Sequence, residues 1–259
     1  MTPAPRRRER AAPRAPAAAG AGANVVYGRN AVREALRAGR RPLREIWATG
    51  GAAKEPWLSE HGVHPRVVAG EELERLSGST GHQGVCADAG PYPYADGHAL
   101  LSEPDPLIVV LDEIQDPQNL GAIARTAEGA GVTGVVIPER RSAEVTPAVC
   151  KASAGAVEWL PIARVRNVAD YLGEAKEAGC WCYGAAVGEG SVAYTDPDWR
   201  GGVVLVLGSE GKGLRPRVAG ACDALVELPL RGRIGSLNVS AAAAALLYGI
   251  LQKRVDSAP

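Results

Sequence analysis

A chain of 259 residues, 46% hydrophobic and 22% charged, is long enough for one large or two modest domains and has the balance of a soluble globular protein. A membrane span needs about 18 apolar residues in a row; the most apolar stretch, 239–251, falls short and runs into Lys253 and Arg254, which excludes one. The formal net charge of zero hides eleven arginines against two acids in residues 1–44, a basic arm that fits a nucleic-acid partner and equally a solvated tail.

In chain order, residues 1–23 are rich in Arg, Pro and Ala, without the apolar core of a secretory signal, and read as a disordered basic tail on a cytoplasmic protein. Residues 24–89 read as a small α/β unit. Val32 and Leu36 recur at helical spacing, Gly39 supplies a stop, and short apolar runs follow at 45–48, 66–68 and 84–87. Residues 90–104, with Pro91, Pro93 and Pro104, read as a linker. Over 105–259 the alternation is denser. Strands are predicted at 107–111, 134–137, 180–186, 203–207 and 224–228, and helices at 117–130, 146–154, 168–178 and 239–253. Runs such as "LIVVL" and "VVLVL" are apolar on both faces, as in a covered parallel sheet, and such sheets bind ligands beyond the carboxyl ends of their strands. The five cysteines are scattered without metal-ligand spacing and read as free, mostly buried thiols, so no metal is expected.

Three segments carry candidate chemistry. In "LDEIQDPQNLGAIARTAEGAG" a strand ends at Leu111, Asp116 suits a helix cap and Pro117 the first helical position. Arg125 has no carboxylate four residues before it. It reads either as an anion grip or as an ordinary exposed helix arginine, and Asn119 as a site residue or a first-turn capping residue. In "VVLVLGSEGKGL" a strand runs into three glycines within six residues, a loop that a ligand can approach closely; its spacing fits neither a Walker loop nor a dinucleotide loop. Glu210 at its tip is a ligand contact or an exposed acid. In "VELPLRGRIGSLNVSAAAAALLYGILQKR" a loop with Arg231 and Arg233 leads to Ser236, Leu237 and Asn238 at the start of an alanine-rich helix. Asn238 there is a site residue or simply the cap, and the alanines imply close packing against the chain's own sheet or a second subunit.

Together and in this order the segments closely resemble the signature motifs of the SpoU (TrmH-like) branch of the SPOUT methyltransferases. The resemblance rests on Asn119-x-Gly121-x-x-x-Arg125, on Gly208-Ser209-Glu210-Gly211 and on Ser236-Leu237-Asn238-Val239-Ser240, and covers roughly 105–254. The preceding unit, from "VYGRNAVREALRAGRR" to "GHQGVCA", is similar to the family's N-terminal RNA substrate-binding domain. The resemblance implies an α/β fold with a parallel sheet and a deep trefoil knot, S-adenosylmethionine as cofactor, and a homodimer in which Arg125 and Asn119 help to complete the partner's site. It implies catalytic roles for Arg125, Asn119, Glu210, Ser236 and Asn238. It places the cofactor against Ala186, Gly188, Leu207, Gly208, Gly211, Leu228, Leu237 and Asn238. The implied reaction is 2′-O-methylation of a ribose, with a guanosine of large-subunit (23S) ribosomal RNA as the expected target. A guanidinium with a pKa above about 12 is almost never neutral, so Arg125 is expected to grip a phosphate and polarise the hydroxyl rather than act as a plain base. Arg29, Arg40, Arg41, Arg231 and Arg233 are candidate RNA contacts. A tRNA or antibiotic-resistance methyltransferase, and a non-catalytic RNA-binding protein of the same fold, are the competing readings.

Overall fold

The computed structural model describes residues 24–188 and 190–256; the predicted basic tail, 1–23, lies outside them. The first unit holds β1 (Val25–Tyr27), α1 (Arg29–Ala38), β2 (Leu43–Ala48), α2 (Pro56–Glu60), β3 (Arg66–Val67), α3 (Gly70–Ser77) and β4 (Val85–Ala89). Its sheet runs β1-β4-β2-β3, with β4 antiparallel to both neighbours and β3 parallel to β2. Strand β1 was not foreseen, since three residues are too few to show a period of two.

The segment predicted as a linker is ordered and packed. It carries α4 (Gly97–Leu101), capped by Asp96, whose side chain accepts from the His98 N–H at 2.9 Å. Leu100 and Leu101 are buried, and the Tyr171 hydroxyl donates to the Gly97 carbonyl at 3.1 Å. The prolines hide this strap by breaking the spacing on either side of one short helix.

The second unit holds β5 (Leu107–Asp112), α5 (Pro117–Gly129), β6 (Gly134–Pro138), α6 (Pro147–Ala152), β7 (Ile162–Val165), α7 (Val168–Glu177), β8 (Trp181–Ala185), β9 (Ser191–Ala193), β10 (Val203–Gly208), α8 (Pro216–Ala219), β11 (Ala224–Glu227) and α9 (Val239–Asp256). The seven strands lie in the order β7-β6-β5-β10-β8-β11-β9, every pair parallel. Central β5 is buried along all six residues, as expected for a strand covered on both faces. Strands β7 and β9 escaped the sequence pattern because both are edge strands of only three or four residues. Late strands insert between earlier ones: β10 enters between β5 and β8, and β11 between β8 and β9. The connections after β10 and β11 therefore emerge side by side at one end of the sheet. Helix α5 packs against α6 with no room to spare at Gly121, where a Cβ would stand 2.4 Å from that of Ala152.

The two units share one continuous core, in which Val26, Ala31 and Val32 belong to the same cluster as Val149 and Val157. Arg41 crosses the boundary. Its side chain is 5% exposed and pairs with Glu158, which is also buried, while Nη2 reaches the Cys150 sulfur at 3.4 Å. Burial works against that charge, but the hydrogen bonds Arg41 donates to Glu158 overcome it and hold the Arg41 pKa above its ordinary value. Arg40 is likewise turned inward, donating to the carbonyls of Pro93, Val157 and Leu160 at 3.2–3.4 Å. Arg41 is thus buried and structural, which corrects its reading as an RNA contact, whereas half-buried Arg40 spends part of its guanidinium on those carbonyls. Arg29 stays on the surface, paired with Glu55 at 2.8 Å. No helix among the described residues is long and apolar enough to cross a membrane.

Candidate active site

Strand β10 ends at Gly208, and the chain doubles back at once: the Gly213 N–H donates to the Ser209 carbonyl at 2.8 Å. A Cβ on Gly208 would stand 2.2 Å from the carbonyl carbon of Gly213, so only glycine permits this fold-back. The far end of the turn is pinned from β5. Asp112, fully buried, accepts from the Arg215 N–H at 2.9 Å and from its Nε at 2.7 Å. Those contacts raise the pKa of Arg215. The Asp112–Arg215 tie was not foreseen; its only trace in the sequence is an acid closing an otherwise apolar strand.

The turn before α9 meets the first turn through three side chains. The Asn119 amide donates to Glu210 Oε1 at 3.1 Å, the Asn238 amide donates to Asn119 Oδ1 at 3.1 Å, and the same Asn238 amide donates to Glu210 Oε1. Asn119 is buried in the first turn of α5, placed there by the Asp116 cap, which accepts from the Gln118 N–H at 2.8 Å. Residues 119, 210 and 238, drawn from three motifs, so form a closed triangle. Asn238 is also the α9 cap: its Oδ1 accepts from the Ser240 N–H at 2.9 Å and from the Ser240 hydroxyl at 2.6 Å. The two readings of Asn238 describe the two ends of one amide.

Between the turns opens a cavity of 580 Å³ beyond the carboxyl ends of β8, β10 and β11, within the range of about 300–1,000 Å³ typical of small-molecule sites. Ala186, Leu207, Gly208, Glu210, Gly211, Leu228, Ser236, Leu237 and Asn238 all line it, as do Val226 and Leu246, which the motifs did not mark. Among the described residues its only ionisable lining groups are the carboxylates of Glu210 and Glu227, so it suits a ligand carrying positive charge. Gly188 does not line it; it sits on the exposed stretch after β8 and is corrected as a cofactor contact on that ground. Arg231 and Arg233 are exposed on the connection between β11 and α9. A second chamber of 280 Å³ adjoins the cavity across Ser209, Glu210 and Val239, lined also by Glu113, Asp116, Asn119 and Lys212.

Arg125 lies elsewhere. Within a single chain it lines neither chamber but opens into a groove of 390 Å³ with Arg33, Arg37 and Trp159. Helical geometry dictates this: six residues turn the helix about 600°, so Arg125 projects roughly 120° away from Asn119 and about 9 Å further along the axis. Of the two residues expected to complete a partner's site, Asn119 is bonded within its own chain, to Glu210 and Asn238, while Arg125 lies apart from its own chain's cavity. The side chain has no hydrogen-bond or ion-pair partner among the described residues.

Comparison with known proteins agrees with this geometry. The model of the SpoU rRNA methylase family matches residues 106–248, and the model for RNA 2′-O ribose methyltransferase substrate binding matches 25–95. A Bacillus subtilis protein named for the TrmH family of tRNA/rRNA methyltransferases is 38% identical over 243 residues, covering 89% of this chain and 96% of its own. The SpoU methyltransferase AviRb of Streptomyces viridochromogenes, solved in complex with AdoMet, superposes with a TM-score of 0.76 at 26% identity, covering 90% of this chain and 91% of that one. An AdoMet-bound rRNA methyltransferase from Sinorhizobium meliloti gives a TM-score of 0.74 at 25% identity, covering 91% and 88%.

Proposed function

Because the chain belongs to the SpoU rRNA methylase family, we propose that it methylates a ribose 2′-oxygen of RNA with S-adenosylmethionine as donor, and that its substrate is a guanosine of large-subunit (23S) ribosomal RNA. The observation that carries this reading is the triangle of Asn119, Glu210 and Asn238, which locks two turns together beside a cavity whose charged walls, among the described residues, are acidic. That cavity fits the donor. Leu207, Val226 and Leu246 offer apolar walls to an adenine, the glycine-rich turn offers bare backbone to its polar edge, and the carboxylates suit a cationic centre. Likeness over nearly the full length to an rRNA methyltransferase, substrate-binding unit included, supports the ribosomal target. The same family likeness, with both turns bordering one cavity, supports the trefoil knot.

When bound, the donor supplies an electrophilic methyl group on a good leaving group, so the protein's task is positioning and help with the hydroxyl proton. Asn119 and Asn238 hold Glu210 at the cavity mouth, Ser236 faces the cavity from the second turn, and the leucine walls exclude water. Arg125 acts in the site of a second copy. There it grips the phosphate beside the target ribose and stabilises charge developing on the 2′-oxygen as its proton passes to water. An exposed stripe on α9 (Ala241, Ala245, Tyr248 and Val255) provides the surface for such a homodimer. Tyr248 lies beside Gly129, one helical turn beyond Arg125 on α5, so a copy docked on the stripe meets the Arg125 face.

The test is to incubate the protein with labelled S-adenosylmethionine and either unmodified 23S rRNA or total tRNA, digest to nucleosides and identify the product by mass spectrometry. Label in 2′-O-methylguanosine from the ribosomal RNA is expected. Label only in tRNA would overturn the substrate, and label on a base, or none, would overturn the reaction.

A further inference from the structure

Next to the chamber that holds Asn119 is a depression of 340 Å³ that the motifs do not touch. It lies beyond the carboxyl ends of β6 and β7 and beside α8. Arg140, Arg141, Arg166, Arg215 and Arg217 line it, against a single carboxylate, Glu113. Three of the arginines are committed. Arg215 holds Asp112, Arg217 pairs with Asp170 at 2.8 Å, and Arg141 stands 3.5 Å from Glu113. Glu113 Oε1 is also 3.5 Å from an Arg215 nitrogen, so two guanidinium groups cover its charge. Arg140 and Arg166 are exposed and have no hydrogen-bond or ion-pair partner among the described residues. They also line a neighbouring depression of 710 Å³ and so stand on the ridge between the two. The amino end of α7, a ten-residue helix capped by Asn167, opens at the same place and adds its dipole.

Two unpaired guanidinium groups on a ridge, backed by three more, make a polyanion track, because each can take a phosphate as a fork without giving up a contact within the protein. Glu113 lines both this depression and the Asn119 chamber, so the arginine ridge adjoins the candidate active site. We propose that the arginine ridge holds the phosphate backbone of the substrate RNA as it enters the acceptor chamber, a binding surface on the methyltransferase unit itself and separate from the substrate-binding unit. This rests on the RNA substrate proposed above.

The test uses the full chain with Arg140 and Arg166 both changed to Gln. RNA binding is measured by fluorescence anisotropy on a 23S rRNA fragment between 50 and 300 mM salt, alongside KM, kcat and a titration with S-adenosylmethionine. For two lost single-strand phosphate contacts the slope of log K against log salt should flatten by about 1.4, and KM for RNA should rise about tenfold. Turnover at saturating RNA and donor affinity should stay within about twofold. The Arg140→Lys, Arg166→Lys pair should restore the slope, which separates lost charge from lost folding. An unchanged slope and KM in the Gln pair would overturn the proposal, as would an equal loss of donor binding. Should the wild-type chain methylate no RNA, the function proposed above would fall, and the salt slope would still decide this point.

Discussion

Asn238 uses both ends of its amide, and a single substitution can pull the two apart. Aspartate keeps the oxygen that caps α9 and is favoured by the helix dipole there, but it replaces the amide donor with an oxygen facing Glu210 Oε1. Asn238→Asp is therefore expected to keep thermal stability within about 1 kcal/mol while slowing methyl transfer at least about tenfold, the cost of a lost hydrogen bond plus like-charge repulsion. Asn238→Ala should lose the cap as well, about 1 kcal/mol of stability. Calorimetry and initial rates read both, and a fully active aspartate variant would contradict the triangle's role. The triangle's three members were legible in the sequence because each sits in a short motif with its own local reason: a capped first turn, a glycine turn, a helix start. The direction of Arg125 was legible too, since a six-residue offset on a helix cannot share a face with Asn119, but naming the motif as a unit conceals that rotation.

Among the elements, the turn after β10 depends on one absent atom. Gly208→Ala places a methyl group 2.2 Å from the backbone of Gly213 and cannot be relieved by a side-chain rotation. Affinity for S-adenosylmethionine should fall at least about tenfold, with a much smaller change on Gly235→Ala, where the added group meets nothing within 4 Å. Isothermal titration distinguishes the two, and equal losses would mean that the close approach at Gly208 is unimportant. The elements that sequence reasoning missed share a physical cause. Strands β1, β7 and β9 have three or four residues each, and α4 has five, so tertiary contacts and not local periodicity hold them in place.

For the molecule as a whole, the boundary between the two units is built like an interior. Removing one partner of a buried ion pair strands the other, so Glu158→Ala should destabilise the protein by about 3–5 kcal/mol, seen as a lowered melting temperature. An unchanged melting temperature would show that the pair contributes nothing. Nothing local in "AGRRPL" distinguishes Arg41 from a surface arginine such as Arg37, because its partner lies 117 residues away. The cysteines set a second global property. Burial pushes the thiols of Cys86, Cys150 and Cys182 up to about 12 and that of Cys222 to about 11, and it raises the buried tyrosines in the same direction. In the unfolded chain these thiols titrate near 9.0. Above that pH the unfolded state holds fewer protons than the folded one, so stability falls as pH rises from about 9 toward 12 and is insensitive to these groups below 9. Denaturant melts at pH 7, 8, 9.5 and 10.5 should show a plateau followed by a decline; stability that held level to pH 10.5 would contradict the buried state of the thiols.

Arg125 lines a groove apart from its own chain's cavity, so the catalysis proposed above has two chains share each site. Mixing inactive Arg125→Ala and Asn238→Ala chains tests this directly, after unfolding and refolding them together to exchange subunits. Half of the dimers should then be mixed, each with one intact site, and roughly a quarter of wild-type turnover should return. A mixture no more active than its two components would show that Arg125 does not serve a partner's site, and the shared-site account would fail.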